Sequence, residues 1–222
     1  MLIRHFLSIC LITVLATLVI AVARGVCADN AHLSQKQNTT HEKLTSSRED
    51  DAGADQIRLP PLQAEFLSSQ GDFRFIISSW DNWESKRGHG SLVRLKNGVS
   101  EVLWERELPQ EYGPRYVLVG QRGEVLMLDE WISNRSKYSI VVLNPQNDWV
   151  IQHNFEKVQK VLDVPTAEIV RKATRGSWWI SEPPVLDKSG SRAYVPTTGK
   201  VLTVDLQTGE LSLLIKFKNG SE

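Results

Sequence analysis

The stretch that decides the fold runs from residue 116 to residue 143 and reads YVLVGQRGEVLMLDEWISNRSKYSIVVL. Two of its segments, residues 125–128 (VLML) and residues 140–143 (IVVL), are apolar at every position. Short apolar runs bounded by turn residues are typical of strands that are covered on both faces. The sequence therefore predicts a central sheet that is packed between two neighbouring layers.

Short strands joined by turns extend from this stretch in both directions. Residues 91–95 and 99–107 flank Lys96-Asn97-Gly98, and Asn-Gly between two β-rich runs is a strong hairpin signal. Further strand pairs flank turns at residues 120–123, 144–148 and 207–209. A single helical insertion is predicted at about 156–174, and Pro165 divides it into two parts.

Some of these strands recur as a unit. Residues 80–86 and 131–137 share the pattern Trp-x4-Ser-Lys, and residues 116–129 and 194–205 share Tyr-Val followed by Gly-x-Val-Leu-x-x-Asp. Self-similarity of this kind indicates a repeat architecture. We therefore predict an all-β fold of about three four-stranded antiparallel blade-like repeats, at roughly 63–108, 115–155 and 177–217.

One segment resembles a known family. Residues 200–211, KVLTVDLQTGEL, resemble the closing half of a blade in quinoprotein-type β-propellers. The resemblance implies four-stranded sheets that pack face to face. A closed propeller needs four or more blades, and the sequence supplies three units. Three arrangements stay open: a partial stack of sheets, a sandwich, and a propeller completed by a partner chain.

The N-terminal part has the layout of an export signal. Residues 1–28 combine a basic start, an apolar stretch and Val26-Cys27-Ala28 before a cut ahead of Asp29, which predicts a signal peptide and a periplasmic or secreted protein. The alternative is an uncleaved segment that anchors the chain in a membrane. Residues 29–58 are polar and predict a disordered linker, followed by a β-repeat domain at 59–222. Both cysteines precede residue 29, so the exported domain would contain no disulfide.

Composition and motifs argue against several function classes. The chain has 26 basic and 26 acidic residues, and this balance argues against a nucleic-acid partner. The run Arg87-Gly88-His89-Gly90-Ser91 does not fit the nucleophile elbow Gly-x-Ser-x-Gly, which requires glycine on both sides of the serine, since position 93 is Val. Residues 196–200 end like a phosphate-binding loop, but a strand follows them rather than a helix.

Adjacent carboxylates and lone histidines give no catalytic or metal signature. Asp129 and Glu130 are neighbours on a predicted strand, so their side chains are expected on opposite faces. Glu182 has no identified partner, and the histidines show no spacing typical of metal ligands. We predict no catalytic residues, no metal and no cofactor. An undetected hydrolase using Glu182, Asp129 or His89 is kept as an alternative.

Seven tryptophans, all between residues 80 and 179, are the compositional exception. Trp104 and Trp149 lie in predicted strands beside aliphatic residues and are expected in the core. Trp80, Trp83 and Trp131 lie in polar connections, and of the consecutive pair at 178–179 only one can face a core. The alternative is that these rings cap the ends of the sheets. The residues predicted to bind a partner are Trp80, Asp81, Trp83, Trp131, Arg135, Trp178, Trp179 and Glu182.

The sequence thus favours an exported, non-enzymatic binding protein that presents tryptophan-bearing loops to a protein partner, of an envelope-interaction or inhibitor and immunity type. Exposed aromatic rings beside polar side chains are used in protein interfaces. Sugar-binding surfaces use the same chemistry, so a carbohydrate or peptidoglycan binding module is the second hypothesis.

Overall fold

The computed structural model describes residues 58–214, which contain twelve strands and two short helices. The predicted signal peptide at 1–28 lies outside the described residues. The predicted linker also lies outside them, apart from Arg58, as do residues 215–222.

The strands form three four-stranded antiparallel sheets, in each of which strands that follow one another in the chain are hydrogen-bonded neighbours. Sheet 1 contains β1 (Gln63–Leu67), β2 (Phe73–Ser78), β3 (Arg87–Lys96) and β4 (Val99–Glu111). Sheet 2 contains β5 (Pro114–Val119), β6 (Val125–Glu130), β7 (Ile140–Leu143) and β8 (Trp149–His153). Sheet 3 contains β9 (Val185–Leu186), β10 (Arg192–Thr197), β11 (Lys200–Asp205) and β12 (Leu211–Leu213). The predicted all-β, blade-like architecture is confirmed.

Sheet 2 is the middle layer of the stack, because both of its faces are covered. Val125 and Met127 point to a core shared with sheet 1, whereas Leu126 and Leu128 point to a core shared with sheet 3. Every residue of β6 and β7 is buried. The prediction drawn from the two apolar runs is therefore confirmed.

Two-residue turns set the register of the hairpins. Asn97 and Gly98 have φ values of 53° and 76° and join Lys96 to Val99, its pairing partner on β4. Two successive left-handed residues form the turn that matches the twist of antiparallel strands, and Asn-Gly is the sequence that adopts it most readily. Residues 198 and 199 form a similar turn between β10 and β11, so the segment that resembles a phosphate-binding loop is a hairpin.

The two sequence repeats correspond to the structure in different ways. Residues 80–86 and 131–137 both connect the second strand of a sheet to the third, so this match joins equivalent loops. Residues 116–129 span the first and second strands of sheet 2, whereas residues 194–205 span the second and third strands of sheet 3. The second match is therefore displaced by one strand. It reflects shared hairpin chemistry, since both segments place glycine at a tight turn.

The helical insertion is confirmed and packs on the core between sheets 2 and 3. Helix α1 (Phe155–Leu162) begins after Asn154, whose side chain accepts a hydrogen bond from the Lys157 amide at 3.0 Å. It ends at Leu162, and the C-cap residue Asp163 has a left-handed φ of 51°. Helix α2 (Thr166–Lys172) follows Pro165 and buries Ile169 in the same core.

The contact between sheets 2 and 3 at Gly209 gives a direct test of their packing. A Cβ at Gly209 would overlap the side chain of Ile151 on β8, and Gly209 also has a φ of 71°. At Gly199 the φ is similar, 78°, but no atom lies within 4 Å of the added Cβ. We expect Gly209→Ala to lower the free energy of unfolding by about 2 kcal/mol more than Gly199→Ala, because only the first overpacks the core. Urea unfolding of both variants measures the difference, and equal losses would contradict the packing.

Candidate functional site

The eight residues predicted to bind a partner lie in connections at one end of the stack, where β2 and β6 finish and β3, β7 and β9 begin. We call this the loop end. Residues 58–61 run across it: the Trp83 indole donates to the Pro61 carbonyl at 3.2 Å, and the Trp131 indole donates to the Arg58 carbonyl at 2.7 Å. The backbone of residues 58–61 is therefore hydrogen-bonded to the connections of both sheet 1 and sheet 2.

The loop that carries Trp80 is held by hydrogen bonds along its length. The Ser79 hydroxyl accepts from the Trp83 amide at 2.6 Å, and the Asp81 carboxylate accepts from the Ser85 amide at 2.8 Å. Hydrogen bonds from the Ser85 hydroxyl first, and then from the Ser85 amide and the Ser79 hydroxyl, hold the pKa of Asp81 below its usual value. Asp81 therefore shapes the loop and stays ionised at neutral pH.

The same loop contains three non-glycine residues in the left-handed region. The φ values are 55° at Asn82, 68° at Trp83 and 61° at Lys86. This conformation is unfavourable for a bulky residue such as tryptophan, and such strain accumulates at functional segments. The surrounding contacts that offset the strain hold the loop in one shape.

Trp80 is the most exposed of the predicted rings. Its side chain is 82% exposed. The His89 ring on β3 packs against it edge to face, with centroids 4.2 Å apart. The His89 Nδ1 lies 3.3 Å from the Arg106 carbonyl. His89 therefore lies on the outer face of sheet 1 and packs against Trp80.

Trp83 differs from Trp80, and its expected exposure is wrong. Trp83 is 3% exposed and packs in the core between sheets 1 and 2. The reason is the left-handed φ, which turns the side chain inward, and the hydrogen bond to Pro61, which satisfies the indole N–H. A role in partner binding stays a prediction, but the ring itself is covered in the folded chain.

The connection from β6 to β7 carries Trp131 and Arg135. Trp131 is half-buried, and the Arg115 guanidinium lies 4.6 Å from the centre of its ring. Arg135 is exposed and pairs with Glu156 at the start of α1, with 2.6 Å between Nε and Oε1. Trp131 thus holds the crossing backbone, and Arg135 ties its loop to the helical insertion.

The connection from α2 to β9 carries the tryptophan pair and Glu182. Trp179 is fully buried between sheets 2 and 3, whereas Trp178 is half-buried and contacts Phe155. Both rings pack against the core between sheets 2 and 3, and neither residue lies on a strand, so the expectation that only one of the pair faces the core is wrong. Glu182 is exposed in the approach to β9.

Asp129 fixes this connection to sheet 2. Its carboxylate accepts from the Ser177 hydroxyl and from the Trp178 amide, both at 2.7 Å. Burial raises the pKa of Asp129 to about 6, although the hydrogen bond from Ser177 opposes the rise. Glu130 is also buried, but it accepts from the Ser136 hydroxyl in the β6–β7 loop at 2.7 Å. The adjacent carboxylates therefore hold two different loops.

The two tryptophans expected in the core have different outcomes. Trp104 is 6% exposed and packs against Phe75, as predicted. Trp149 is 41% exposed, so the prediction for this residue is wrong. It lies on the edge strand β8, where the Arg106 guanidinium stacks 4.5 Å from the ring centre.

The hydrolase candidates are not joined by hydrogen bonds or ion pairs among residues 58–214. His89 supports Trp80, Asp129 binds the Ser177 hydroxyl and the Trp178 amide, and Glu182 is exposed. Within the same residues no cluster of three or more His, Cys, Asp or Glu side chains is arranged to bind a metal ion. The helices in this part of the chain are too short and polar to cross a membrane.

Comparison with known proteins places few constraints on the chain. No protein-family model matches it, and no curated protein matches it. Among solved structures, a europium-containing methanol dehydrogenase is similar over 64% of this chain and 23% of its own, with 12% sequence identity and a TM-score of 0.33. The chain thus spans less than a quarter of that enzyme. The all-β architecture follows from the three four-stranded sheets.

Proposed function

We propose that this is an exported, non-enzymatic binding protein that presents Trp80 and its loop to a protein partner. The observation that carries the proposal is a large apolar ring, 82% exposed, on a loop with a hydrogen-bonded and strained backbone. An anchor that is fixed before binding loses little conformational freedom on association. Tryptophan is also enriched among the residues that dominate binding energy. Export rests on the N-terminal sequence pattern.

The surroundings of Trp80 have the composition of a protein interface. Leu62 is 55% exposed and lies beside the loop, because its carbonyl accepts from the Ser79 amide at 2.9 Å. An exposed ion pair between Arg87 and Glu107 lies at the same end of sheet 1, with 2.9 Å between Nη1 and Oε1. An apolar centre with a charged rim is the usual arrangement in transient interfaces.

Sugar binding through a platform of several rings is less favoured at this end. Trp83 and Trp179 are buried, and Trp131 and Trp178 are half-buried. This leaves Trp80 as a single prominent ring, which fits an anchor better than an extended stacking surface.

Trp80→Ala gives the direct test. We expect it to weaken binding of the partner by at least tenfold, because the anchor is removed, while the free energy of unfolding changes by less than about 0.5 kcal/mol. The partner is first recovered from an envelope extract with the wild-type protein and identified. Its affinity is then measured by calorimetry against wild type and variant.

Trp149→Ala is the matched control, since Trp149 is also exposed but lies on sheet 2 against Arg106. This variant should keep wild-type affinity. Equal affinity of wild type and Trp80→Ala would contradict the proposed surface. Turnover by the wild-type protein in a panel of glycoside and ester substrates would contradict the non-enzymatic role.

A further inference from the structure

A pocket of about 320 Å³ opens between sheets 2 and 3 at the opposite end of the stack from Trp80. Its walls come from the turn between β5 and β6, the turn between β7 and β8, and the turn after β11. We call this the turn-end pocket. These three turns are far apart in sequence, so the pocket exists only in the folded chain.

The pocket contains a buried carboxylate with an unused oxygen. The Glu124 side chain is 6% exposed. Its Oε1 accepts from the Arg122 guanidinium, with the Nε at 2.9 Å. Its Oε2 receives no hydrogen bond from the residues that the structure describes, and it lies so close to Gly120 that a Cβ there would be 2.6 Å away. Oε2 keeps contact with solvent at the pocket wall, and its free acceptor capacity lets a donor from outside the chain bind there.

The rest of the lining defines the chemistry of that donor. Gln146 and Gln207 present exposed amide side chains at the rim, and Val150 and Leu206 supply apolar surface. The Arg122 guanidinium balances the charge of Glu124, so a neutral ligand meets the least electrostatic opposition. Planar polar groups above an apolar surface suit a ring that bears adjacent hydroxyl groups on its edge and C–H groups on its face.

We propose that the turn-end pocket binds a single neutral sugar ring, with a ring hydroxyl donating to Glu124 Oε2 and further hydroxyls contacting the amides of Gln146 and Gln207. The volume is at the lower end of small-molecule sites and matches one ring rather than a long chain. A free monosaccharide and the terminal ring of a longer glycan offer the same hydroxyl groups. For about a dozen non-hydrogen atoms, a dissociation constant on the order of 1 mM is expected.

Saturation-transfer NMR on the whole protein tests the site, with glucose, galactose, mannose and N-acetylglucosamine and their linear tri- and tetrasaccharides as probes. We expect at least one monosaccharide to bind, and Glu124→Gln to weaken it by at least tenfold. Gln207→Ala should weaken it several-fold. This second variant alters an exposed side chain, so it keeps the test valid if the loss of the pair with Arg122 disturbs the turn.

Two controls separate this site from the proposed partner surface. Glu105→Gln changes an exposed glutamate on sheet 1, and Trp80→Ala removes the anchor of the loop end; both should keep wild-type sugar affinity. In tri- and tetrasaccharides, transfer confined to a terminal ring would support a one-ring pocket. Transfer spread over several rings would overturn it. The proposal is also overturned if no sugar shows transfer at about 20 mM, far above the expected dissociation constant. Loss of sugar binding in Trp80→Ala, with affinity kept in Glu124→Gln and Gln207→Ala, would overturn it as well.

Discussion

Met127→Ala and Leu128→Ala should each lower the free energy of unfolding by about 3 kcal/mol, although the two residues are neighbours on one strand. Both side chains are fully buried. Met127 packs in the core between sheets 1 and 2, and Leu128 packs in the core between sheets 2 and 3. In a strand with one solvent-facing side, truncation to alanine would cost this much stability at only one of two neighbouring residues. Urea unfolding at neutral pH measures both losses.

Val102→Ala is the control for this pair. Val102 lies on β4 in sheet 1 and is 56% exposed, so its truncation should change stability by less than about 0.5 kcal/mol. A loss below about 1 kcal/mol for either Met127→Ala or Leu128→Ala would show that one face of sheet 2 is uncovered. It would contradict the three-layer arrangement directly.

Asp129→Asn should change how stability depends on pH. The pKa of Asp129 is raised from 3.8 to about 6 by burial, so the folded chain binds a proton more tightly than the unfolded chain does. The stabilisation from this proton is complete below pH 3.8 and is lost as the pH rises through about 6. Relative to the variant, the wild-type protein should lose roughly 2 kcal/mol between pH 4 and pH 6.5.

The asparagine variant can keep the contacts of Asp129 with residues 177 and 178 and loses only the hydrogen bond that Oδ1 accepts from the Glu130 amide at 3.1 Å. Asparagine tolerates the left-handed φ of 57°, and its carbonyl oxygen can accept from the Ser177 hydroxyl and the Trp178 amide. Chemical unfolding at a series of pH values measures the difference between the two proteins. Taking this difference removes the opposite contribution of groups such as Asp205, where hydrogen bonds from the Thr208 amide first and the Gln207 amide hold the pKa below its usual value.

Asp163→Asn is the matched control for the pH series, because Asp163 has a similar left-handed φ of 51° but is exposed. It should follow the wild-type pH profile. If the unfolding free energies of wild type and Asp129→Asn change in parallel with pH, then Asp129 does not bind its proton more tightly in the folded chain than in the unfolded chain.

The fold was predictable where local sequence decides structure. Alternation is absent from residues 125–128 and 140–143 because both faces of those strands are covered, and Asn97-Gly98 selects its own turn. The tryptophans were harder to predict. Trp83 is buried because its backbone is left-handed and its indole donates a hydrogen bond to Pro61. The hydropathy of the neighbouring residues predicts neither of these features. The position of the Trp149 ring depends on its contact with Arg106, which lies on another sheet, so local sequence does not predict it.

The two candidate sites differ in the same respect, since local sequence predicts one of them and not the other. Trp80 was found from sequence because its exposed loop is one continuous polar segment. The turn-end pocket could not be found in this way, since Glu124, Gln146 and Gln207 come together only when sheets 2 and 3 pack. A lone glutamate or glutamine in a turn carries no sequence signal for a site.

The three sheets follow one another in chain order, and this has a consequence for biosynthesis. When the N-terminal half has been synthesised, the face of sheet 1 that carries Phe75, Leu92 and Trp104 has no covering layer until β6 and β7 arrive. During that interval the nascent polypeptide exposes an apolar surface, to which a chaperone that binds incompletely folded chains can attach. A pause in translation after sheet 1 has left the ribosome but before β6 and β7 have left it should therefore increase aggregation more than a pause after all of these strands have emerged.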